Sequence, residues 1–319
     1  MYSRCIVDEL IETAAHYPVV ALLGPRQSGK TTIVTAVFKD KAYVSLEDPD
    51  ERLLAETDPR AFLARFPKGA ILDEVQRVPE LLSYIQTIVD KAGQNGLFIL
   101  TGSHQMQLQA SISQSLAGRI GLLSLYPLSM AELKLANIEL TLDSQILHGF
   151  YPRVYNEHLN PTKAYRNYLH TYVEKDVRAI SEIKNLVLFQ KFLKLCAGRI
   201  GRILDYTSLS SEVGVSVNTI THWLSVLEAS FLIFRLTPYY ENLGKRVIKS
   251  PKLYFTDVGL AAYLLEIETL SQLERDPLRG HLFENLVVME LVKNRINQGL
   301  DPNLYYFRDS NQNEVDVVF

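Results

Sequence analysis

Cysteine is scarce: Cys5 and Cys196 are the only two in 319 residues. That excludes a disulfide framework and a thiolate metal site, and it suits a reducing, cytoplasmic setting. Long apolar runs are missing too. None approaches the ~20 residues needed to span a bilayer. The N-terminus carries Asp8, Glu9 and Glu12 where a signal peptide has its apolar core. No membrane partner is expected. Net charge is small, −3 at pH 7, so the whole chain is not a polycation. The charge is uneven, however. Residues 151–256 hold 15 Lys and Arg against 8 Asp and Glu, a surplus of +7, so the overall −3 leaves −10 elsewhere. A basic middle block between acidic flanks fits either nucleic acid or an acidic neighbouring domain.

What is present is a phosphate-binding pattern. Gly24, Pro25, Arg26, Gln27, Ser28, Gly29, Lys30 and Thr31 satisfy G-x-x-x-x-G-K-[ST] at every fixed position, with Thr32 beside them. Pro18–Leu23 is an apolar run of strand length before the loop, and residues 31–38 form a helical stripe after it. Strand, glycine loop and helix start are what phosphate binding needs. The glycines let backbone N–H groups turn inward, and the helix start adds partial positive charge. Lys30 reaches the β- and γ-phosphates, and the Thr31 hydroxyl is placed for Mg²⁺. A second signature follows: the run 69–74 is a strand ending in Asp73 and Glu74. Asp73 is the expected Mg²⁺ partner and Glu74 the group that polarises the attacking water. The strand 97–101 ends in Thr101, with Ser103 just beyond; either hydroxyl can orient the water or sense the phosphate. Arg119, before a fifth strand at 120–125, is a candidate arginine finger in its own subunit or a neighbour's. That second option implies a homo-oligomer; a surface ion pair is the plain alternative. Strands alternating with helices predict a five-stranded parallel sheet, with ligand at the strands' carboxyl ends.

These blocks, with Tyr43–Asp48, Leu72–Gln76, Leu100–Ser103, Leu116–Arg119 and Tyr126–Ser129, resemble the AAA-type ATPases of prokaryotes that carry a C-terminal DUF4143 region. The resemblance covers nearly the whole chain. It implies an α/β P-loop ATPase core of the additional-strand type, with a glutamate beside the Mg²⁺ aspartate.

Three domains are expected: 1–135, the ATPase; 136–265, a helical linker and winged helix; and 266–319, the start of a PD-(D/E)xK-like, nuclease-like α/β domain. Residues 160–180 are dense in charge and tyrosine, Tyr165 and Tyr168 among them, and read as a contact helix or a solvated one. Residues 206–215 and 216–229 read as a helix–turn–helix, with two strands at 231–236 and 252–255 flanking a wing. Lys245, Arg246, Lys249 and Lys252 can lie on a DNA phosphate backbone. Against that, the second helix of the pair holds no Lys or Arg, which weakens base readout. Near the end, Glu284 on a helix and Asp316 on a strand resemble the opening of the nuclease pattern. The chain reaches Phe319 before any Glu-x-Lys strand, so it reads as truncated, both acids read as structural, and nuclease activity is not expected. The function read from the sequence is Mg²⁺-dependent ATP binding and hydrolysis that drives attached DNA- or protein-interacting domains. The competing reading is a nucleotide-gated DNA-binding switch with little hydrolysis.

Overall fold

The computed structural model describes residues 2–103, 115–173, 185–239, 250–309, 311 and 313–319. The chain divides into two compact units, residues 1–126 with 295–300, and residues 127–294 with 301–319.

The first unit is built on a parallel sheet. In chain order it has α1 (Val7–His16), β1 (Val19–Leu23), α2 (Lys30–Val37), β2 (Ala42–Ser45), α3 (Pro49–Thr57), α4 (Pro59–Ala64), β3 (Ala70–Asp73), α5 (Leu81–Ala92), β4 (Phe98–Gly102) and β5 (Ile120–Ser124). The strand order is β2-β3-β4-β1-β5, and every pairing is parallel. The five parallel strands expected from the sequence are present, and their burial follows this order. β1, β3 and β4 are buried along their whole length, as unbroken apolar runs must be when helices cover both faces of a sheet. The edge strands β2 and β5 are only partly covered. Val20, Leu22, Ile71, Ile99 and Leu123 join Ile6, Leu10 and Ala14 of the N-terminal segment and Ile33 and Val34 of α2 in one core. β4 lies between β1 and β3, so the loop strand and the acid strand are separated by the strand that carries Thr101.

The second unit is mainly helical. Helices Tyr206–Val213 and Val217–Ala229 are joined through Gly214, whose φ of 89° suits a glycine. They precede an antiparallel pair, β6 (Ile233–Leu236) and β7 (Lys252–Phe255). The segment 240–249, which includes Lys245, Arg246 and Lys249, lies outside the described residues. Phe189, Phe192 and Trp223 meet with ring centroids 5.3–5.8 Å apart, tying helix Leu186–Ala197 to this module. A last antiparallel pair is β8 (Tyr305–Arg308) and β9 (Glu314–Val318).

Two expectations are revised here. Tyr165 and Tyr168 face neither solvent nor a free contact surface; both are buried within the second unit. Tyr165 donates to the buried Asp257 at 2.7 Å, and Tyr151 donates to Tyr168 at 2.8 Å. No separate unit begins at residue 266 either. Helix Arg279–Ile296 is stitched to the strands before it: Asn285 accepts from Phe255 N at 2.7 Å and donates to Phe255 O at 2.8 Å. A buried amide that satisfies one backbone residue twice belongs to that core.

Candidate active site

The loop between β1 and α2 is held at three points. Gly24 N donates to Gly102 O at 3.3 Å, and Leu125 N donates to Leu23 O at 2.7 Å, so the loop leaves the sheet pinned by β4 and β5. A Cβ on Gly24 would lie 2.1 Å from the Leu125 carbonyl oxygen, so no other residue fits. Gly29, at φ 95°, turns the chain into α2. Arg4 braces the loop from outside, donating to Ser28 O and Tyr126 O at 2.7 Å each. The Lys30 side chain folds back over the loop and is buried, with Nζ donating to Gly24 O and Pro25 O at 2.9 Å each. Among the described residues the buried Ser28 Oγ has no hydrogen-bond partner.

β3 delivers the two acids to this loop, and they separate into distinct networks. Asp73 accepts from Thr31 Oγ1 at 3.1 Å to each carboxylate oxygen, from Tyr43 OH at 2.9 Å, and from Thr101 Oγ1. All three donors are neutral hydroxyls. They orient the carboxylate without cancelling its charge. Burial, then the Asp73 charge, push the Tyr43 phenol up to about 12, so it stays a donor at neutral pH.

At Glu74 the strand ends and the backbone enters the left-handed region, φ 56°. This turns the side chain away from the strand's alternation and into a second network. Glu74 Oε2 accepts from Ser103 Oγ at 3.0 Å and from Gln76 Nε2, and Gln76 Nε2 also reaches Ser103 Oγ at 3.3 Å. The Glu74 amide donates to Thr101 Oγ1 at 3.3 Å, so that one hydroxyl links both acids. Burial alone would raise the Glu74 carboxyl. The Lys30 and Arg26 charges, with the Gln76 and Ser103 hydrogen bonds, outweigh it and hold the group below its ordinary value. Glu74 is therefore a charged carboxylate at neutral pH. Gln76 Oε1 is buried and, among the described residues, without a partner.

Thr31, Lys30, Asp73, Glu74, Thr101 and Ser103 thus come together at the carboxyl end of the sheet. Arg119 does not. Its carbonyl accepts from Val19 N at 3.1 Å, so it sits where β1 begins, at the opposite end of the sheet from the loop. Its guanidinium holds Asp90 of α5, Nη2 to Oδ2 at 3.0 Å. A residue just before a parallel strand lies one strand length from the ligand end, which removes Arg119 from its own subunit's site. Lys252 is likewise no surface cation. It is 1% exposed, and Nζ meets Glu314 at 2.5 Å, Asp316 at 2.8 Å and Glu284 at 3.4 Å, so it is not available to a phosphate backbone. Three contributors have no site role read from the sequence, although Tyr43 and Gln76 lie in blocks that carry the family resemblance. Gln76 is two residues past Glu74 in a short 3-10 turn, Tyr43 sits on an edge strand, and Arg4 is 24 residues from the loop carbonyl it holds.

Comparison with known proteins bears on the family and the fold. The family described as AAA domain matches residues 16–134, a domain of unknown function, DUF8612, matches 139–271, and DUF4143 matches 279–319. The uncharacterized protein Rv2008c of Mycobacterium tuberculosis is 31% identical over 306 residues, covering 94% of this chain and 67% of that protein. The chain belongs to the AAA-type P-loop ATPases with a C-terminal DUF4143 region. The uncharacterized protein MJ1637 of Methanocaldococcus jannaschii, 27% identical over 340 residues, covers 89% of this chain and is itself covered over 70%. The Walker-type ATPase PABY2304 of Pyrococcus abyssi shares the fold at a TM-score of 0.55, with 15% identity, over 83% of this chain and 96% of that one. As a member of this family the chain is a nucleotide-binding ATPase. Among the described residues, no helix is long and apolar enough to cross a membrane.

Proposed function

We propose that this AAA-type ATPase hydrolyses ATP by in-line attack of water on the γ-phosphorus, with Glu74 as the base. The observation that carries the reading is the division of the two adjacent acids. Asp73 shares the Thr31 hydroxyl at 3.1 Å, while Glu74 is turned into a separate, cation-flanked network. Water's oxygen bonds to phosphorus, its proton passes to the Glu74 carboxylate, and the bond to the β,γ-bridging oxygen breaks to release ADP. Lys30 and the loop amides meet the charge on the phosphate oxygens. The donor set around Asp73 fits Mg²⁺: a hydroxyl and a carboxylate are hard oxygen ligands, and the neutral donors on Asp73 leave its charge for a cation. Thr31 and Asp73 would hold the ion, which neutralises phosphate charge when bound. Thr101, bonded to both acids, positions them.

We further propose that this cycle drives a conformational change in attached domains that act on DNA or on another protein. The second reading, a nucleotide-gated DNA-binding switch, is favoured by the +7 charge of residues 151–256 and by the helix pair 206–229 followed by β6 and β7, a winged-helix arrangement. Lys245, Arg246 and Lys249 are its candidate contacts. Steady-state ATP turnover with and without DNA, parent against Glu74→Gln, separates the two. Hydrolysis abolished by Glu74→Gln supports the first. Salt-sensitive DNA binding that Lys245→Ala weakens, with negligible turnover, supports the second.

A further inference from the structure

Phosphoryl transfer to water gains from a guanidinium placed on the γ-phosphate oxygens. Arg119, the arginine the sequence offers for this, is at the far end of its own sheet. The loop itself supplies another. Arg26 lies between the loop's two fixed glycines, with its side chain 15% exposed and Nη1 3.3 Å from Glu47 Oε1. Glu47 is two residues past the end of β2, and its neighbour Leu46 donates its amide to Asp73 O at 3.0 Å. The Arg26 guanidinium is therefore held at the ligand end of the sheet, within electrostatic reach of Glu74. Its charge, after that of Lys30, is among the causes that keep Glu74 ionised.

We propose that Arg26 is a catalytic cation supplied within the subunit: it is held on Glu47 in the structure seen here and moves onto the γ-phosphate oxygens as the transition state forms. The inference rests on the hydrolytic reading above. The Glu47 contact suits a temporary hold. Its carboxylate is 49% exposed and is shared with Arg77 Nη2 at 3.5 Å, so water and a second guanidinium compete for it. A phosphoryl group in the loop offers the planar guanidinium two oxygens and a larger charge, away from bulk solvent. Lys30, bonded to the loop's own carbonyls, cannot give the same forked contact.

The test is equilibrium binding of fluorescent ADP and of ADP–aluminium fluoride, both with Mg²⁺, to the parent, Arg26→Ala, Arg26→Lys, Arg77→Ala and Glu47→Gln. Arg26→Ala is expected to keep ADP affinity within about threefold, yet to lose about 100-fold or more for the fluoride complex, at the low end of what an arginine finger supplies. Arg26→Lys should recover a minor part of that loss, and Glu47→Gln should bind the fluoride complex at least as well as the parent. Equal losses for both ligands in Arg26→Ala and Arg26→Lys would make Arg26 a strut of the loop and overturn the proposal. So would undiminished fluoride-complex binding in Arg26→Ala, and if Arg77→Ala alone lost it the role would pass to Arg77. A parent that binds ATP but shows neither turnover nor fluoride-complex binding would overturn the hydrolytic reading itself.

Discussion

Lys30 and Lys252 are both buried lysines near carboxylates, and they resolve the encounter in opposite ways. Beside β3, Lys30 gives its ammonium to the carbonyls of Gly24 and Pro25, and Asp73 accepts, among the described residues, from hydroxyls alone. Beside β7, Lys252 gives its ammonium to Glu284, Glu314 and Asp316, and Tyr254 OH donates to Glu284 at 2.6 Å. Burial would lower the Lys252 ammonium, but its carboxylate partners raise it above the ordinary value. In the first group, charge is kept in reserve for a ligand. In the second it is neutralised by the chain itself. The same residue types therefore make the proposed reaction site in one unit and a structural tie in the other, and the difference is where the lysine's donors go.

The largest expected effect falls on the first group. Glu74→Gln removes the proposed base while keeping size and hydrogen-bonding capacity, and should lower kcat by roughly 10²–10⁴, the usual range for a general base, with nucleotide affinity retained. Parent-like turnover would sink the assignment. Lys252→Met tests the second group. It should leave turnover near parental and cost about 2–3 kcal/mol in urea unfolding, less than the roughly 3–5 kcal/mol of a fully buried pair because Asp316 is 59% exposed. An unchanged urea midpoint would mean that the tie contributes nothing.

Lys30→Ala should weaken ATP binding by about 10–100-fold, the equivalent of the roughly 1.5–3 kcal/mol in a hydrogen bond to a charged group, with little change in the urea midpoint. The two lysines would then have traded effects, one on ligand and one on fold. The pH dependence of stability sharpens the contrast further. Glu74 is depressed in the folded state, so its contribution is present above the unfolded value and is lost as pH falls through the folded one. Lys252 is raised, so its contribution is present below the unfolded value and is lost as pH rises through the folded one. Glu74→Gln should flatten the acid side of the urea midpoint against pH, and Lys252→Met the alkaline side. The smallest effect is expected at Arg119. Its pair with Asp90 is solvent-screened and contributes little, and Arg119→Ala should keep parental turnover. A turnover loss that is rescued by mixing with Glu74→Gln protein would instead assign Arg119 to a neighbour's site.

Legibility in the sequence followed the reach of the interaction. The loop, the acid pair and the strand ends are local patterns, and the alternation of apolar strands with helices predicts a parallel sheet, while the strand order is decided by the fold. Of the readings open for Arg119, the surface ion pair is the one seen within the subunit, because sequence adjacency to a strand does not say which end of the sheet a residue occupies; the direction of β5 does. Lys252 looked like part of a basic wing because its carboxylate partners lie 32 to 64 residues away. Tyr165 looked exposed in a charged segment because its partner, Asp257, is 92 residues on. Nothing near Gln76 in sequence announced that its amide would close on Glu74.

By itself, then, the sequence determined a parallel nucleotide-binding sheet and the candidates Lys30, Thr31, Asp73 and Glu74, because strand period, glycine turns and motif spacing are properties of neighbouring residues. Only the tertiary structure decided which cations serve the site and which are tied up elsewhere. A charged side chain's role depends on which donors and acceptors reach it across the fold, and on how much water is left between them.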